Sequence, residues 1–243
     1  LKSLINWLFL PFKFHCIKPY IKASNFKLLD VGCGNHSPTK TKRHFPSCRY
    51  FGVDKTLYNN DQFDLAAMEQ FYQIDLEQPQ TLSCIPDQEF DAIICSHVID
   101  HVRQGSEVVR VLSQKLRIGG VFFIEYPSHR SLNLPSMKGT LNFSDDATHC
   151  QLYSIVDLCN ILMSQGYRVQ RAGMRRFWRR ILILPIVLFK DRHAPAGAFW
   201  DICGFSDYII ARRVSSAVDE QVARATNSKS FRAGVVGRTF LLY

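Results

Sequence analysis

The chain has 243 residues, 47% of them hydrophobic and 21% charged, enough apolar mass for one large domain with additions, so disorder along its whole length is excluded. Lys and Arg outnumber Asp and Glu 30 to 21, a net +9, which suits acidic partners such as phosphate esters, nucleic acid or anionic lipid head groups and names none of them. The eight cysteines include no Cys-x-x-Cys pair and several sit in apolar runs, which fits reduced core thiols of a cytosolic protein and excludes a zinc ribbon or a disulfide framework.

Leu1, Leu4, Ile5 and Leu8 recur at helical spacing before Pro11, so residues 1–25 read as an amphipathic helix and an aromatic-basic stretch that caps the domain or touches a membrane. From residue 27 the pattern changes to short apolar runs at 27–31, 50–54, 71–76, 90–95 and 121–126, each separated by enough chain for a helix or crossover. That alternation predicts a parallel sheet covered on both faces, a doubly wound α/β fold. Residues 127–153 are too long and polar for a routine connection and predict a loop over the site. Ser154 and Asp157 then stand in capping-box-like positions of a helix that Gly166 stops. "YRVQRAG" and "SDYIIARR" predict the last two strands, with an insertion at 174–205 between them and a Ser/Arg-rich tail at 214–243. No apolar run approaches the roughly 20 residues of a spanning helix, so the chain reads as cytoplasmic, or peripheral to the inner face of a membrane.

"KLLDVGCGNHS" ends a predicted buried strand in a turn with almost no side chains, which lets a ligand lie against the backbone. A Gly-x-Gly pair alone also suits an ordinary strand-to-helix turn. The rest of the array is more specific. Asp54 ends the second strand, where a carboxylate accepts both hydroxyls of an adenosine ribose. Asp75 ends the third, where it can accept from an adenine amino group beside the apolar wall of Leu76. "FDAIICSHVIDHV" brings a fourth strand to the same edge. A nicotinamide dehydrogenase would share the turn and Asp54, but its third glycine position holds Ser37, followed by Pro38.

In that order of motifs, continued by "LRIGGVFFIEYP" and by "THCQLYS" before a helix, residues 27–213 resemble the class I S-adenosylmethionine-dependent methyltransferases of the type 11/12-like group. The resemblance implies a Rossmann-like seven-stranded sheet, mostly parallel with a final antiparallel strand, and S-adenosyl-L-methionine as cofactor. It places Asp30, Gly32 and Gly34 along the methionine part of that cofactor, Asp54 at the ribose, Asp75 and Leu76 at adenine, and Ser96 near the sulfonium, with Cys33, Lys55 and His97 as further cofactor-binding candidates. The family's usual third glycine is His36 here, which implies a shifted approach of the cofactor.

His97, Asp100 and His101 would share one helical face if residues 98–103 are helical, and His149 arrives from the long loop. His97, His101 and His149 are therefore candidate catalytic residues, one imidazole acting as base to a methyl acceptor. Two other readings stand beside that one. The imidazoles can hold the loop in place by hydrogen bonds. Alternatively, as in small-RNA 2′-O-methyltransferases and some ubiquinone-pathway enzymes, the segment can surround a divalent ion, with His97 in place of the first acid disfavouring magnesium.

Arg175, Arg176, Arg179 and Arg180 predict one basic helical face. Beside "ILILPIVLF" it suggests a peripheral enzyme acting on a small-molecule, glycan or lipid-linked acceptor at an anionic membrane surface. The interleaved "RRFWRR" also permits an RNA acceptor. A non-catalytic binding protein with a methyltransferase fold is disfavoured by the intact Gly32, Gly34, Asp54 and Asp75.

Overall fold

The computed structural model describes residues 10–178, 181–182 and 199–214. The predicted N-terminal helix, Arg179, Arg180, most of "ILILPIVLF" and the tail after Val214 lie outside the described residues.

Among the described residues the strands are β1 (Lys27–Val31), β2 (Arg49–Asp54), β3 (Gln70–Gln73), β4 (Phe90–Ser96), β5 (Leu116–Pro127), β6 (Tyr167–Met174) and β7 (Ser206–Arg213). They form one sheet in the order β3-β2-β1-β4-β5-β7-β6. The first five are parallel to their neighbours, and β7 runs antiparallel to both β5 and β6. The helices are α1 (Phe12–Ile17), α2 (Ser37–His44), α3 (Gln62–Ala67), α4 (Gly105–Lys115), α5 (Ile155–Ser164) and α6 (Trp200–Cys203).

Strand parity assigns the two faces of the sheet. Leu29, Val31, Phe51, Val53, Ile93, Cys95, Phe122 and Ile124 pack on Val108, Val109 and Leu112 of α4 and on Leu158 and Leu162 of α5. Their chain neighbours Leu28, Tyr50, Ala92, Ile94, Val121 and Phe123 face the other way, against Phe12, Phe14, Cys16 and Ile17 of α1. Burial of one such side chain contributes about 1.5–3 kcal/mol. A one-residue slip of β1 or β4 would exchange the two sets, so the core itself specifies the register.

The predicted third strand is shorter than 71–76. Pairing ends with Ile74 N–H on Asp54 O at 2.9 Å, after which Asp75 closes a turn: its Oδ1 accepts from Glu77 N–H at 3.1 Å and its carbonyl from Gln78 N–H at 3.0 Å. Helix α5 starts as predicted, with Ser154 Oγ accepting from Asp157 N–H at 3.4 Å, and Gly166 follows it with φ +81°. Helix α4 passes into β5 without a loop, and Arg213 at the end of β7 donates to the carbonyls of Gln114 and Leu116 there, satisfying acceptors that a helix end leaves open.

From β1 the chain moves outward to β2 and β3, then crosses back to β4 on the other side of β1. Connections therefore diverge above the carboxyl ends of β1 and β4, where open α/β sheets form their ligand crevice. Residues 128–153 dock beside that edge. Ser128 N–H donates to Phe205 O at 2.7 Å, Ser128 Oγ to Gly204 O at 3.0 Å, and Trp200 Nε1 to Thr140 O at 2.8 Å.

Candidate active site

The turn after β1 is shaped first by its own protein neighbours. Gly32 has φ +74°, and a Cβ on it would lie 2.3 Å from Cγ2 of Val98. A Cβ on Gly34 would lie 2.8 Å from the carbonyl oxygen of Tyr58. Backbone groups pin the turn to β2: Gly32 N–H donates to Val53 O at 2.8 Å, and Gly34 N–H to Asp54 Oδ2 at 3.2 Å. The Cys33 side chain is buried against Gly52, and burial pushes its thiol up to about 12, so Cys33 is packing rather than a nucleophile.

Asp30 lies beneath the turn and is buried. Its Oδ2 accepts from Ser37 Oγ at 2.5 Å and from Tyr50 Oη at 2.6 Å, tying β1 to the start of α2 and to β2. At the expected third-glycine position, His36 adopts the left-handed conformation that a glycine would take (φ 58°, ψ 31°). Its Nδ1 lies 2.6 Å from Oδ2 of the wholly buried Asp64, and its N–H donates to Asn60 Oδ1 at 2.9 Å. The departure from the family pattern therefore preserves the backbone path of the turn.

Two carboxylates stand at the ends of neighbouring strands. Asp54 Oδ1 accepts from Lys55 N–H at 2.7 Å. Burial raises the Asp54 pKa, against the opposing N–H donors of Thr56, Lys55 and Gly34. Asp75 Oδ2 pairs with Lys55 Nζ at 2.8 Å, and this partner, with the Glu77 N–H, lowers its pKa. Leu76 beside it is buried. Each carboxylate oxygen retains acceptor capacity after these bonds, and the donors of an adenosyl group, ribose hydroxyls and an exocyclic amine, match such acceptors.

At the ends of β4 and β5 the side chains form a buried polar network. Arg175 Nη1 lies 2.7 Å from Glu125 Oε1, and its Nε and Nη2 lie 2.7 and 3.1 Å from the two carboxylate oxygens of Asp201. Ser96 Oγ donates to Glu125 Oε2 at 3.2 Å. Burial opposes charge on Glu125, but Arg175 and His97 outweigh it and hold its pKa far below the carboxylate range. Burial likewise opposes charge on Arg175, which Glu125 and Asp201 overcome. Arg175 thus corrects the predicted basic face: it is buried and doubly paired. Arg176 is exposed, while Phe177 of the same segment is buried.

His97 belongs to this network, not to the other two histidines. It has φ +54°, and only residues 99–101 form a single 3-10 turn, so the predicted common helical face does not exist. The His97 Nε2 lies 3.6 Å from Glu125 Oε1 and 3.3 Å from Ser206 Oγ, and its ring packs 4.7 Å from Trp200 and parallel to Phe205. No partner for its Nδ1 occurs among the described residues.

The other cluster joins Asp100, His101 and His149. His149 Nε2 is 3.1 Å and His101 Nε2 3.4 Å from Asp100 Oδ2, and the two rings lie 4.8 Å apart. Asp100 is wholly buried, and its carbonyl accepts from Cys150 N–H and Gln151 N–H at 2.9 and 3.2 Å. Tyr153 Oη reinforces the dock, donating to Val102 O and accepting from Gly105 N–H at 2.8 Å. Burial disfavours charge on His149, yet Asp100 and the Phe143 carbonyl raise its pKa.

Sequence reasoning missed Glu125, Asp201 and Tyr153 as parts of the site. Glu125 left a visible signal, a carboxylate closing the apolar run "GGVFFIEYP". The pairing of Arg175 with Asp201, 26 residues apart, left none.

A family model described as a methyltransferase domain matches residues 14–172. Among curated proteins, an uncharacterized protein of Methanocaldococcus jannaschii is 28% identical over 147 residues, covering 58% of this chain and 39% of that protein, so the chain spans well under half the length of this relative. Among solved structures, an S-adenosylmethionine-dependent methyltransferase from Archaeoglobus fulgidus aligns with TM-score 0.53 at 18% identity over 87% of this chain and 94% of its own. One from Mesorhizobium loti aligns with TM-score 0.56 at 15% identity over 85% and 100%. Phosphoethanolamine N-methyltransferase 2 of Haemonchus contortus, complexed with phosphomonomethylethanolamine and S-adenosylhomocysteine, aligns with TM-score 0.58 at 13% identity over 88% and 57%. At these identities the solved structures establish the shared fold.

Proposed function

We propose that this chain, which belongs to the methyltransferase-domain family, is an S-adenosylmethionine-dependent enzyme that methylates an oxygen or nitrogen of a small-molecule, glycan or lipid-linked acceptor, with His97 as the base. When bound, the cofactor supplies a methyl carbon activated by positive sulfur. The chain's own part is alignment and proton removal. Asp54 and Asp75 hold the nucleoside half by accepting its hydrogen bonds, and the turn at 32–36 lies along the methionine half. Ser96 and His97, at the end of β4, border the reacting end.

The observation that carries the reading is the orientation of His97. With Nε2 turned to Glu125 and Ser206, the imidazole holds a proton on that side and offers Nδ1 to the acceptor. Glu125, kept ionised by Arg175, stabilises the imidazolium that forms when Nδ1 takes the acceptor's proton. Base assistance of this kind is worth about 10²–10⁴-fold. His149, with both ring nitrogens engaged, and His101, aimed at Asp100, are less suited to that role.

Burial of Arg175 and Phe177 removes support from an RNA-binding reading of 175–180. The exposure of Trp178 and Leu182 (56% and 65%) favours an amphiphilic acceptor at an anionic surface, and cosedimentation with anionic liposomes at low salt tests that part. Incubation of fractionated cell extract with radiolabelled cofactor tests the whole. We expect label in a lipid or sugar fraction, lowered at least about 10²-fold by His97→Gln with circular dichroism retained. Label in RNA or protein would overturn the acceptor class, and full activity of His97→Gln would overturn the base.

A further inference from the structure

The polar partners of His97 hold its ring loosely. Its Nε2 lies 3.3 Å from Ser206 Oγ and 3.6 Å from Glu125 Oε1, both longer than the roughly 2.7–3.2 Å of a well-formed hydrogen bond. The left-handed backbone at His97 fixes where the side chain starts, but the torsion that turns an imidazole is broad. A ring free to swing would carry Nδ1 off the line to an acceptor, and a misplacement of about 1 Å costs on the order of 10²-fold in rate. The angle needs another restraint.

Aromatic packing supplies it. Trp200 lies 4.7 Å from the His97 ring at a tilt of 40°, and Phe205 lies 5.9 Å from it, nearly parallel at 20°. Trp200 and Phe205 stack on each other 4.7 Å apart at 19°, so the rings form one cluster in which the imidazole cannot turn without displacing its neighbours. Trp200 is itself anchored. Its carbonyl accepts from Gly204 N–H and Phe205 N–H at 2.9 and 3.2 Å, which folds the buried Phe205 back onto the indole. Asp201, next in the chain, is clamped by Arg175 at 2.7 and 3.1 Å, and the Arg175 guanidinium lies 5.9 Å from the Trp200 ring. The indole Nε1–H donates to Thr140 O at 2.8 Å, which reaches into the loop of residues 128–153.

We infer that Trp200 is a positioning residue for the proposed methyl transfer: its ring sets the angle of the His97 imidazole, and its indole N–H fastens the 128–153 loop to the same wall. The inference rests on His97 acting as the base. Trp200 acts through that side chain and needs no contact with acceptor or cofactor. Its π face, within 6 Å of the imidazole, also attracts the cation that the ring becomes on taking a proton. Because one indole makes both contacts, loop docking and base alignment are coupled. Lifting the loop breaks the bond to Thr140 and loosens the wall against which His97 rests. Substitution separates the two contacts: Trp200→Phe keeps a ring and loses the N–H, whereas Trp200→Leu and the bulkier Trp200→Met lose both.

The test is a double-mutant cycle on the full chain, with the label-accepting fraction as substrate, alongside carbon-13 spectra of the histidine rings in which His97 is identified by its loss in His97→Gln. We expect Trp200→Leu and Trp200→Met to lower kcat about 10–100-fold and to shift the His97 ring resonances, and Trp200→Phe to recover most of the rate. In the His97→Gln background Trp200→Leu should cost little more, as residues acting as a unit do. A residue that merely holds the fold would cost as much there as in the wild type. Trypsin should cut at Arg130 and Lys138 faster in every Trp200 variant, since all lack the bond to Thr140, and retained circular dichroism establishes that they fold. Wild-type kcat in Trp200→Leu and Trp200→Met, or full additivity with His97→Gln, would overturn the inference while an impaired His97→Gln leaves the base standing. So would unmoved His97 resonances, which report the ring contact whether or not methyl transfer is detected, and so would loop cleavage no faster in Trp200→Phe. Full activity of His97→Gln would instead overturn the base, and this role of Trp200 with it.

Discussion

His36 shows how one residue can depart from a family pattern and keep its geometry. A side chain in the left-handed region costs about 1–2 kcal/mol, a cost that glycine at this position avoids. Here the buried Asp64 offsets part of it through the 2.6 Å contact to His36 Nδ1 while also accepting from Asp61 N–H in the capping box of α3. Burial alone would raise the Asp64 pKa, but donors from Thr39, the Asp61 N–H and His36 outweigh it and hold it at about 2. A depressed carboxylate adds stability above its unfolded value, about 3.9, and that stability is lost as pH falls through about 2. Asp64→Asn should therefore flatten the fall in urea-measured stability between about pH 4 and pH 2, while Asp64→Ala should lower stability at pH 7 by about 1–3 kcal/mol. A wild-type acid profile in Asp64→Asn would show that another group titrates there. From the sequence the substitution of glycine was visible, but Asp64, 28 residues away, carried no local sign of being its partner.

At the scale of elements, the apolar runs fixed strand existence well because buried strands need continuous apolar residues whatever their partners. Ends were less legible. The third strand stops short because Asp75 turns the chain with its own side chain, a competition between side chain and ladder that hydrophobicity does not record. The basic segment was misread for a related reason: charge run in sequence suggests a solvated face, and only the fold brings Glu125 of β5 and Asp201 of α6 to Arg175 after β6. Removing the guanidinium strands two carboxylates in the interior. Arg175→Met should therefore cost about 3–5 kcal/mol in urea unfolding, while Arg176→Met, on the exposed neighbour, should stay within about 0.5 kcal/mol. Equal effects of the two would mean that the network contributes nothing to holding β5, β6 and α6 together.

At the scale of the molecule, the seven strands and the final antiparallel one were legible only through the resemblance, and the strand order was not legible, since alternating runs predict a parallel sheet and not which strand lies beside which. The observed order sets the switch point between β1 and β4, and the residues expected to hold the cofactor, from Asp30 to His97, come from the carboxyl ends of β1 to β4. Asp54 is the test of that placement, because it both accepts from Gly34 N–H and keeps acceptor capacity for a ligand. Asp54→Ala should weaken S-adenosylhomocysteine binding at least about tenfold by calorimetry, the loss of a charge-assisted hydrogen bond, with β-sheet circular dichroism retained. Undiminished affinity would move the ribose elsewhere. Strand β7 sits between β5 and β6, although β6 precedes it in the chain. During synthesis on a ribosome, residues 167–174 leave the exit tunnel well before β7, their only neighbour in the sheet among the described residues, so β6 must wait for β7 before it can be zipped into place, and Glu125 likewise waits for Arg175 to be delivered. A nascent chain arrested before residue 206 should therefore keep β6 open to protease, and release of β7 should close it.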